Sequence, residues 1–238
     1  MEIAWTVAGG IIGFVAGMLL RGAVFQLSVA TGEPARTACS RCAAPIDGRG
    51  PFRVRCAHCR GWFGMPLVLE LLTATVVAVL LWRFAGLPDA TAFAFIGALS
   101  VALAAVDIAV QRLPDRLTLP LYPGLTVLFG IAAVLNGDPA AFVRAVLGAV
   151  ALGGVYLILA LLSRGQLGGG DVKLAGGLGI ALGWLGWPTL VSGAILGFVI
   201  MGVVSFGLLV ARRVTLRHAI SFGPFMLGGA LLAVLTTA

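Results

Sequence analysis

The chain has 238 residues, of which 60% are hydrophobic and only 11% charged, and its mean hydropathy is +1.09. Soluble domains carry roughly 45–50% apolar and about 25% charged residues. This composition therefore excludes a soluble globule and predicts an integral membrane protein. The formal net charge of +7 raises nucleic-acid binding as an alternative, and the positions of the basic residues decide between the two.

Apolar segments recur along the whole chain. A membrane-spanning helix needs about 20 apolar residues, and this length predicts an all-α polytopic membrane protein with about eight transmembrane helices. Their predicted bounds are 4–26, 66–82, 90–110, 117–135, 140–162, 172–185, 188–210 and 220–236. The first segment follows Glu2 rather than a basic stretch, so we expect a retained helix and not a cleaved signal peptide.

Most of the basic residues lie in alternate loops. These loops, which share one side of the predicted bundle, are 27–65, 111–116, 163–171 and 211–219. The positive-inside rule predicts that they face the cytoplasm and that both termini lie outside. Because topology accounts for the basic excess, we expect membrane lipid and no nucleic acid among the partners.

Four cysteines lie in the first of these loops: Cys39, Cys42, Cys56 and Cys59. Two Cys-x-x-Cys pairs separated by a short spacer are typical of a tetrahedral zinc site, and four thiolates leave no open position for catalysis. The loop is too short to bury a core of its own, so bound metal would supply its folding energy. The alternatives are free thiols or, with the opposite topology, disulfides. The predicted organisation is a first transmembrane helix (1–29), a zinc-ribbon-like cytoplasmic loop (30–65) and a transmembrane core (66–238).

Two aspartates lie at the ends of predicted spans. Asp107 is near the end of the third span, and Asp171 opens the sixth. Carboxylates at membrane depth are costly and usually functional. A pair of them can share one proton, so that one activates water while the other polarises a peptide carbonyl. Gly168 and Gly170, beside Asp171, would allow irregular backbone and the close approach of an extended peptide.

Each acidic residue also has a structural interpretation. Either aspartate alone suits a helix cap or an ion pair with Lys173 or Arg112. Asp115 follows a proline and suits a helix cap better than catalysis. Glu70, near the cytoplasmic end of the second span, is either an active-site residue or a surface acid whose carboxylate reaches water.

These motifs occur in a fixed order along nearly the whole chain. After the cysteine pairs come Glu70-Leu71-Leu72-Thr73-Ala74, then Asp107 with Leu113-Pro114-Asp115, then Gly168-Gly169-Gly170-Asp171-Val172-Lys173-Leu174, and finally Ser221-Phe222-Gly223-Pro224-Phe225. In this order the chain resembles the bacterial type IV prepilin peptidases, which are membrane aspartyl proteases of the GxGD type.

The resemblance implies an aspartic endopeptidase of the bacterial inner membrane. Such an enzyme cuts after a glycine at the end of the basic leader of type IV prepilins or pseudopilins, at the cytoplasmic face. Asp107 and Asp171 occupy the catalytic positions. The residues expected to support the site are Gly168, Gly170, Lys173 and Glu70.

Members of this family often also methylate the new N-terminus with S-adenosylmethionine. Two departures argue against that activity here. The family's Gly-Ser-Phe-Leu-Asn-Val run is replaced by Gly17-Met18-Leu19-Leu20-Arg21-Gly22, and the spacer between the cysteine pairs is short and lacks the Ile-Pro…Ser-Trp pattern. The expected cofactors are therefore structural zinc, and S-adenosylmethionine only if methylation is retained.

Three other classes of protein share some of these features. A proton-coupled transporter also places carboxylates in the membrane, but typical transporters show duplicated halves, and this sequence shows no internal repeat. A zinc-bearing scaffold explains the cysteines but not the aspartates. A protease of the signal-peptide-peptidase or presenilin type fits the aspartates but not the cysteine loop.

Overall fold

The computed structural model describes residues 2–30, 32–46, 55–64, 67–163, 167–213 and 220–237. Within these residues the chain forms helices joined by short connections, with isolated β-bridges only in the cysteine loop. The helices are α1 (Glu2–Leu27), α2 (Val68–Arg83), α3 (Ala90–Val110), α4 (Asp115–Thr118), α5 (Leu121–Asn136), α6 (Pro139–Leu162), α7 (Gly169–Leu185), α8 (Trp187–Val210) and α9 (Gly223–Thr236). Because the short α4 continues into α5, the predicted all-α class with eight helical segments is confirmed.

Five helical segments of the described chain are long and apolar enough to cross a membrane, and α9 is a shorter apolar helix. The chain is a multi-pass membrane protein. The third span has the predicted bounds, whereas the sixth begins at Gly169 and not at residue 172. The cause is local: Gly168 is the N-cap residue, and its amide donates to the Asp171 carboxylate, so the two glycines between them lie in the first turn. The predicted start of the second span at residue 66 lies outside the described residues.

The chain divides into two compact units, Met1–Pro114 and Asp115–Ala238. In the first unit, α1 packs on α2 through a buried face with a residue at every fourth position: Gly9, Gly13, Gly17, Arg21 and Phe25. A Cβ atom at Gly13 would lie 2.8 Å from the Cα atom of Ala74 on α2. The glycines therefore allow the two helix backbones to approach more closely than any side chain would permit.

The second unit is built around α7. From Leu174 to Trp184 every residue of this helix is buried. The side chain of Arg144 on α6 donates hydrogen bonds to the carbonyl oxygens of Gly183 (2.9 Å) and Trp184 (2.8 Å) at the end of α7. Carbonyls in the last turn of a helix generally need partners from outside it, and a cation there also complements the helix dipole. The helix that carries Asp171 is thus fixed at its far end. The two compact units do not test the predicted functional division into 1–29, 30–65 and 66–238, which stays a prediction.

Candidate active site and metal centre

Two matching turns hold the four cysteines. In the first, the Cys39 amide donates to the Ala44 carbonyl (2.9 Å), and in the second, the Cys56 amide donates to the Gly61 carbonyl (2.8 Å). The residue after the second cysteine of each pair has a left-handed backbone: Ala43 (φ 55°) and Arg60 (φ 55°). The same local geometry therefore occurs twice and presents one pair of thiols from each turn.

The four sulfur atoms converge. All Sγ atoms lie within 4.8 Å of one another, with Cys39 and Cys59 3.7 Å apart and Cys42 and Cys56 3.6 Å apart. A tetrahedral zinc ion with Zn–S bonds of about 2.3 Å requires sulfurs about 3.8 Å apart. The donor set therefore fits zinc, and its role as a ligand set stays a prediction.

The thiols of this cluster do not ionise equally. The backbone amides of Cys59 and His58 lower the pKa of Cys56 to about 6. The amide of Ala44 lowers the pKa of Cys42, but desolvation and the three neighbouring thiols outweigh it and raise that pKa to about 11. A divalent cation at the centre would reverse this competition, because coordinated thiols are deprotonated.

The cysteine loop is anchored on α1. The rings of Phe63 in the loop and Phe25 on α1 have centroids 4.7 Å apart, and both side chains are buried together with Cys39 and Cys56. The loop thus shares an apolar cluster with the helix. Sequence alone did not reveal this support, because Phe25 belongs to an apolar helix with no sign of its partner.

Asp107 lies near the C-terminal end of a helix in the first unit, and Asp171 lies near the N-terminal end of a helix in the second. Asp107 is in the last turn of α3 and is only 4% exposed, and Gln111 (φ 51°) ends the helix by donating its amide to the Asp107 carbonyl. Asp171 is in the first turn of α7, where its Oδ2 atom accepts the Gly168 amide at 3.2 Å. Gly169 and Gly170 are already helical, so the irregular backbone expected before Asp171 extends only to Gly168.

Lys173 is held by two contacts beside Asp171. Its Nζ atom donates to Asp115 Oδ1 at 2.6 Å, and its carbonyl oxygen accepts the Tyr122 hydroxyl at 2.7 Å. The Tyr122 ring lies so close to Gly176 that a Cβ atom there would be 3.1 Å from the ring carbon Cζ. The start of α7 is therefore tied to α4 and α5. Sequence reasoning missed Tyr122, because one tyrosine in an apolar helix carries no sign of its partner.

Glu70 is buried, with a side chain only 2% exposed, and forms an ion pair with Arg21 of α1. Its interpretation as a surface acid reaching water is wrong. Gly17 brings the backbone of α1 against Glu70, and Arg21 follows one turn later on the same face. Arg112, the other cation considered as a partner for the aspartates, donates to the Ala30 carbonyl at 3.2 Å.

The Phe-Gly-Pro motif starts the last helix. Phe222 precedes α9, and its ring packs against Phe198 and Tyr156 with centroid distances of 5.0 and 6.0 Å. Pro224 is in the first turn, where its missing amide costs no hydrogen bond. The motif thus anchors α9 through an aromatic cluster within the second unit.

These features define a multi-pass helical membrane protein with a four-cysteine loop and carboxyl groups at two helix ends. Residues 93–210, which include both aspartates, match the type IV leader peptidase family. A relative from Burkholderia pseudomallei (strain 1026b), named prepilin leader peptidase/N-methyltransferase, is 32% identical over 242 residues, covering 89% of this chain and 75% of the relative. Two more relatives have the same name. The protein from Dickeya chrysanthemi is 39% identical over 71% of this chain and 60% of its own length. The protein from Aeromonas hydrophila is 33% identical over 80% of this chain and 59% of its own length.

No solved structure matches the chain. The relationship to the Burkholderia protein covers most of both sequences. The chain belongs to the type IV leader peptidase family, and it is a protease.

Proposed function

We propose that this protein is a prepilin leader peptidase. It hydrolyses the peptide bond after a glycine at the end of the basic leader of a type IV prepilin or pseudopilin. The observation that carries the proposal is the family match over residues 93–210, which contains Asp107 and Asp171 in their motifs. The names of the relatives supply the substrate class.

The helix ends suggest different roles for the two proposed catalytic aspartates. Asp171 lies where unpaired backbone amides and the positive end of the α7 dipole stabilise a carboxylate. Asp107 is buried in the last turn of α3. In the proposed reaction Asp171 removes a proton from water while Asp107 donates a hydrogen bond to the scissile carbonyl. As the tetrahedral intermediate collapses, Asp171 gives the proton that it took from water to the leaving amine.

The other proposed site residues act on the position of Asp171 or on the packing of the first unit. The amide of Gly168 holds the Asp171 carboxylate, and Gly170 continues the helical turn behind it. Lys173 fixes this turn through Asp115. Glu70 supports the site at a distance, by joining α2 to α1.

We propose that the cysteine loop and both aspartates face the cytoplasm of a bacterium and that both termini lie outside its inner membrane. The positive-inside rule supports this orientation, because most of the basic residues lie in the alternate loops 27–65, 111–116, 163–171 and 211–219. A basic leader would follow the same rule and stay in the cytoplasm, while the hydrophobic helix after the scissile bond lies in the membrane. The scissile bond would then lie at the membrane edge.

Zinc is the proposed cofactor of the loop, with Cys39, Cys42, Cys56 and Cys59 as ligands. When bound it would cross-link the two turns. The names of the relatives include N-methyltransferase, and the altered Gly17–Gly22 run is the reason to test methylation separately. Mass spectrometry of the new N-terminus distinguishes a free amine from a methylated one, which would require S-adenosylmethionine.

The position of the glycine in the substrate tests this proposal. A prepilin peptide with Gly→Val before the scissile bond should resist cleavage, because an extended backbone must approach the aspartates without a side-chain clash. A peptide whose glycine is moved two residues into the hydrophobic segment should also resist cleavage, while apolar replacements deeper in that segment should have little effect. Efficient cleavage of the displaced-glycine peptide at its new position would contradict the proposed role of membrane depth.

A further inference from the structure

A cavity of about 640 Å³ lies within the first unit, between α1, α2, α3 and the cysteine loop. This volume is in the range of sites that bind small molecules, about 300–1,000 Å³. The walls are almost entirely apolar. The lining residues include Val24 of α1, Leu72 and Val76 of α2, Ala105 of α3 and Phe63 of the cysteine loop.

Two arginines and no acidic residue are among the described residues that line this cavity. Arg21 is 3% exposed, and its Nε atom has no hydrogen-bond partner among the described residues. One terminal nitrogen of Arg21 bonds to Glu70, and the guanidinium carbon lies 5.6 Å from the centroid of the Trp62 ring. Arg36, which is exposed, contributes a second cation, and its guanidinium lies over the Phe25 ring at 5.2 Å.

The two arginines and the apolar wall are arranged along α1 in the order of a lipid's headgroup and acyl chain. Arg21 lies six residues before the end of α1, or about 9 Å at 1.5 Å per residue. Arg36 lies beyond that end, in the loop. Two cavity-lining side chains, Leu72 and Ile108, are 54% and 69% exposed, so the apolar wall continues onto the surface of the helices. An apolar chain beneath a charged group at the helix ends is the outline of a phospholipid.

We propose that this cavity binds one anionic phospholipid, with an acyl chain among α1, α2 and α3 and its phosphate between Arg21 and Arg36. The Arg21 Nε–H donates to an oxygen of the phosphate or the glycerol ester, and Arg36 neutralises the headgroup charge. Glu70 already balances one of the two arginines, so the site carries one excess positive charge. A zwitterionic lipid, whose net charge is zero, or an uncharged hydrophobic helix leaves the site with its net positive charge. The proposal does not depend on the peptidase reaction.

Native mass spectrometry of the full chain in mild detergent tests the proposal. The chain is titrated with phosphatidylglycerol or phosphatidylcholine of identical acyl chains, and the first bound lipid is quantified. We expect tighter binding of phosphatidylglycerol, by about fivefold for each arginine that reaches the headgroup. Arg36→Gln should reduce this preference by about fivefold. Ala105→Phe should block the cavity and remove the tight first binding event.

Matched variants separate the cavity from general effects. Arg83→Gln removes a cation at the far end of α2, and Ala151→Phe adds a ring at an exposed position of α6. Both variants should bind the two lipids with the same affinities as the unchanged protein. The double variant Arg21→Gln/Glu70→Gln keeps the interior neutral but removes the Arg21 donor, so it should reduce the lipid preference to the contribution of Arg36 while remaining folded by thermal melting. Equal affinity for the two lipids would overturn the proposal, as would unchanged binding by Ala105→Phe or an equal loss in Arg83→Gln.

Discussion

Arg21 on α1 and Glu70 on α2 form an ion pair whose side chains are only 4% and 2% exposed. The pair continues the line of glycines along which the two helices meet. Burying two charges costs solvation free energy, which their mutual attraction offsets only while both are present. The stability of the first unit therefore depends on the two residues jointly.

Removing one partner should destabilise the protein strongly. Glu70→Gln leaves the Arg21 charge buried and should lower the free energy of unfolding by about 3–5 kcal/mol. The double variant Arg21→Met/Glu70→Leu should recover much of that loss, as measured by unfolding in detergent. As a control, Asp115→Asn breaks the exposed pair with Lys173 and should cost no more than about 1 kcal/mol. If the losses in the single variants Arg21→Met and Glu70→Leu add up to the loss in the double variant, a direct interaction is contradicted.

The close contact of α1 with α2 can be tested with two glycines of α1 that face different surroundings. Gly13→Ala places a methyl group 2.8 Å from the Ala74 Cα atom and should destabilise the protein by about 1–3 kcal/mol. Gly10→Ala meets no atom within 4 Å and should be neutral or stabilise by up to about 1 kcal/mol, because alanine favours the helix. Equal melting temperatures for the two variants would contradict this packing.

The sequence predicted the features that depend on one segment at a time. Apolar length predicted the bounds of α3, and the paired Cys-x-x-Cys spacing predicted the cluster that the structure assembles. Features that depend on two distant segments were not predicted. The burial of Glu70 requires Arg21 on the facing helix, and the role of Tyr122 requires Gly176 to leave room for its ring. Neither residue carries a sign of its partner in the sequence.

The cysteine loop should depend on metal. Purified, reduced protein should contain about one zinc ion per chain, and Cys42→Ser should lower this content and expose the loop to proteolysis. Chelation of the metal should have the same effect. Peptide cleavage should fall less than loop stability, because the proposed catalytic residues lie on α3 and α7. Elemental analysis that finds no zinc in freshly prepared protein would contradict the metal site.

Tyr122 should position the start of α7. Tyr122→Phe removes the hydrogen bond to the Lys173 carbonyl and should cost about 1 kcal/mol of stability, with a reduced rate of peptide cleavage. Gly176→Ala should cost more, since its methyl group would collide with the tyrosine. Gly154→Ala on α6 meets no atom within 4 Å and is the matched control. Cleavage at the unchanged rate in Gly176→Ala would contradict the positioning role.

Asp107 and Asp171 are the residues proposed to carry out peptide hydrolysis. The direct measurement is mass spectrometry of a prepilin-type peptide incubated with purified protein, in which release of the basic leader is quantified. The unchanged protein should cut after the glycine. Asp107→Asn and Asp171→Asn should each abolish cleavage, although both variants are expressed and inserted normally. The control Asp115→Asn should retain most of the activity. Substantial leader release by either catalytic-position variant, or none by the unchanged protein, would contradict the account.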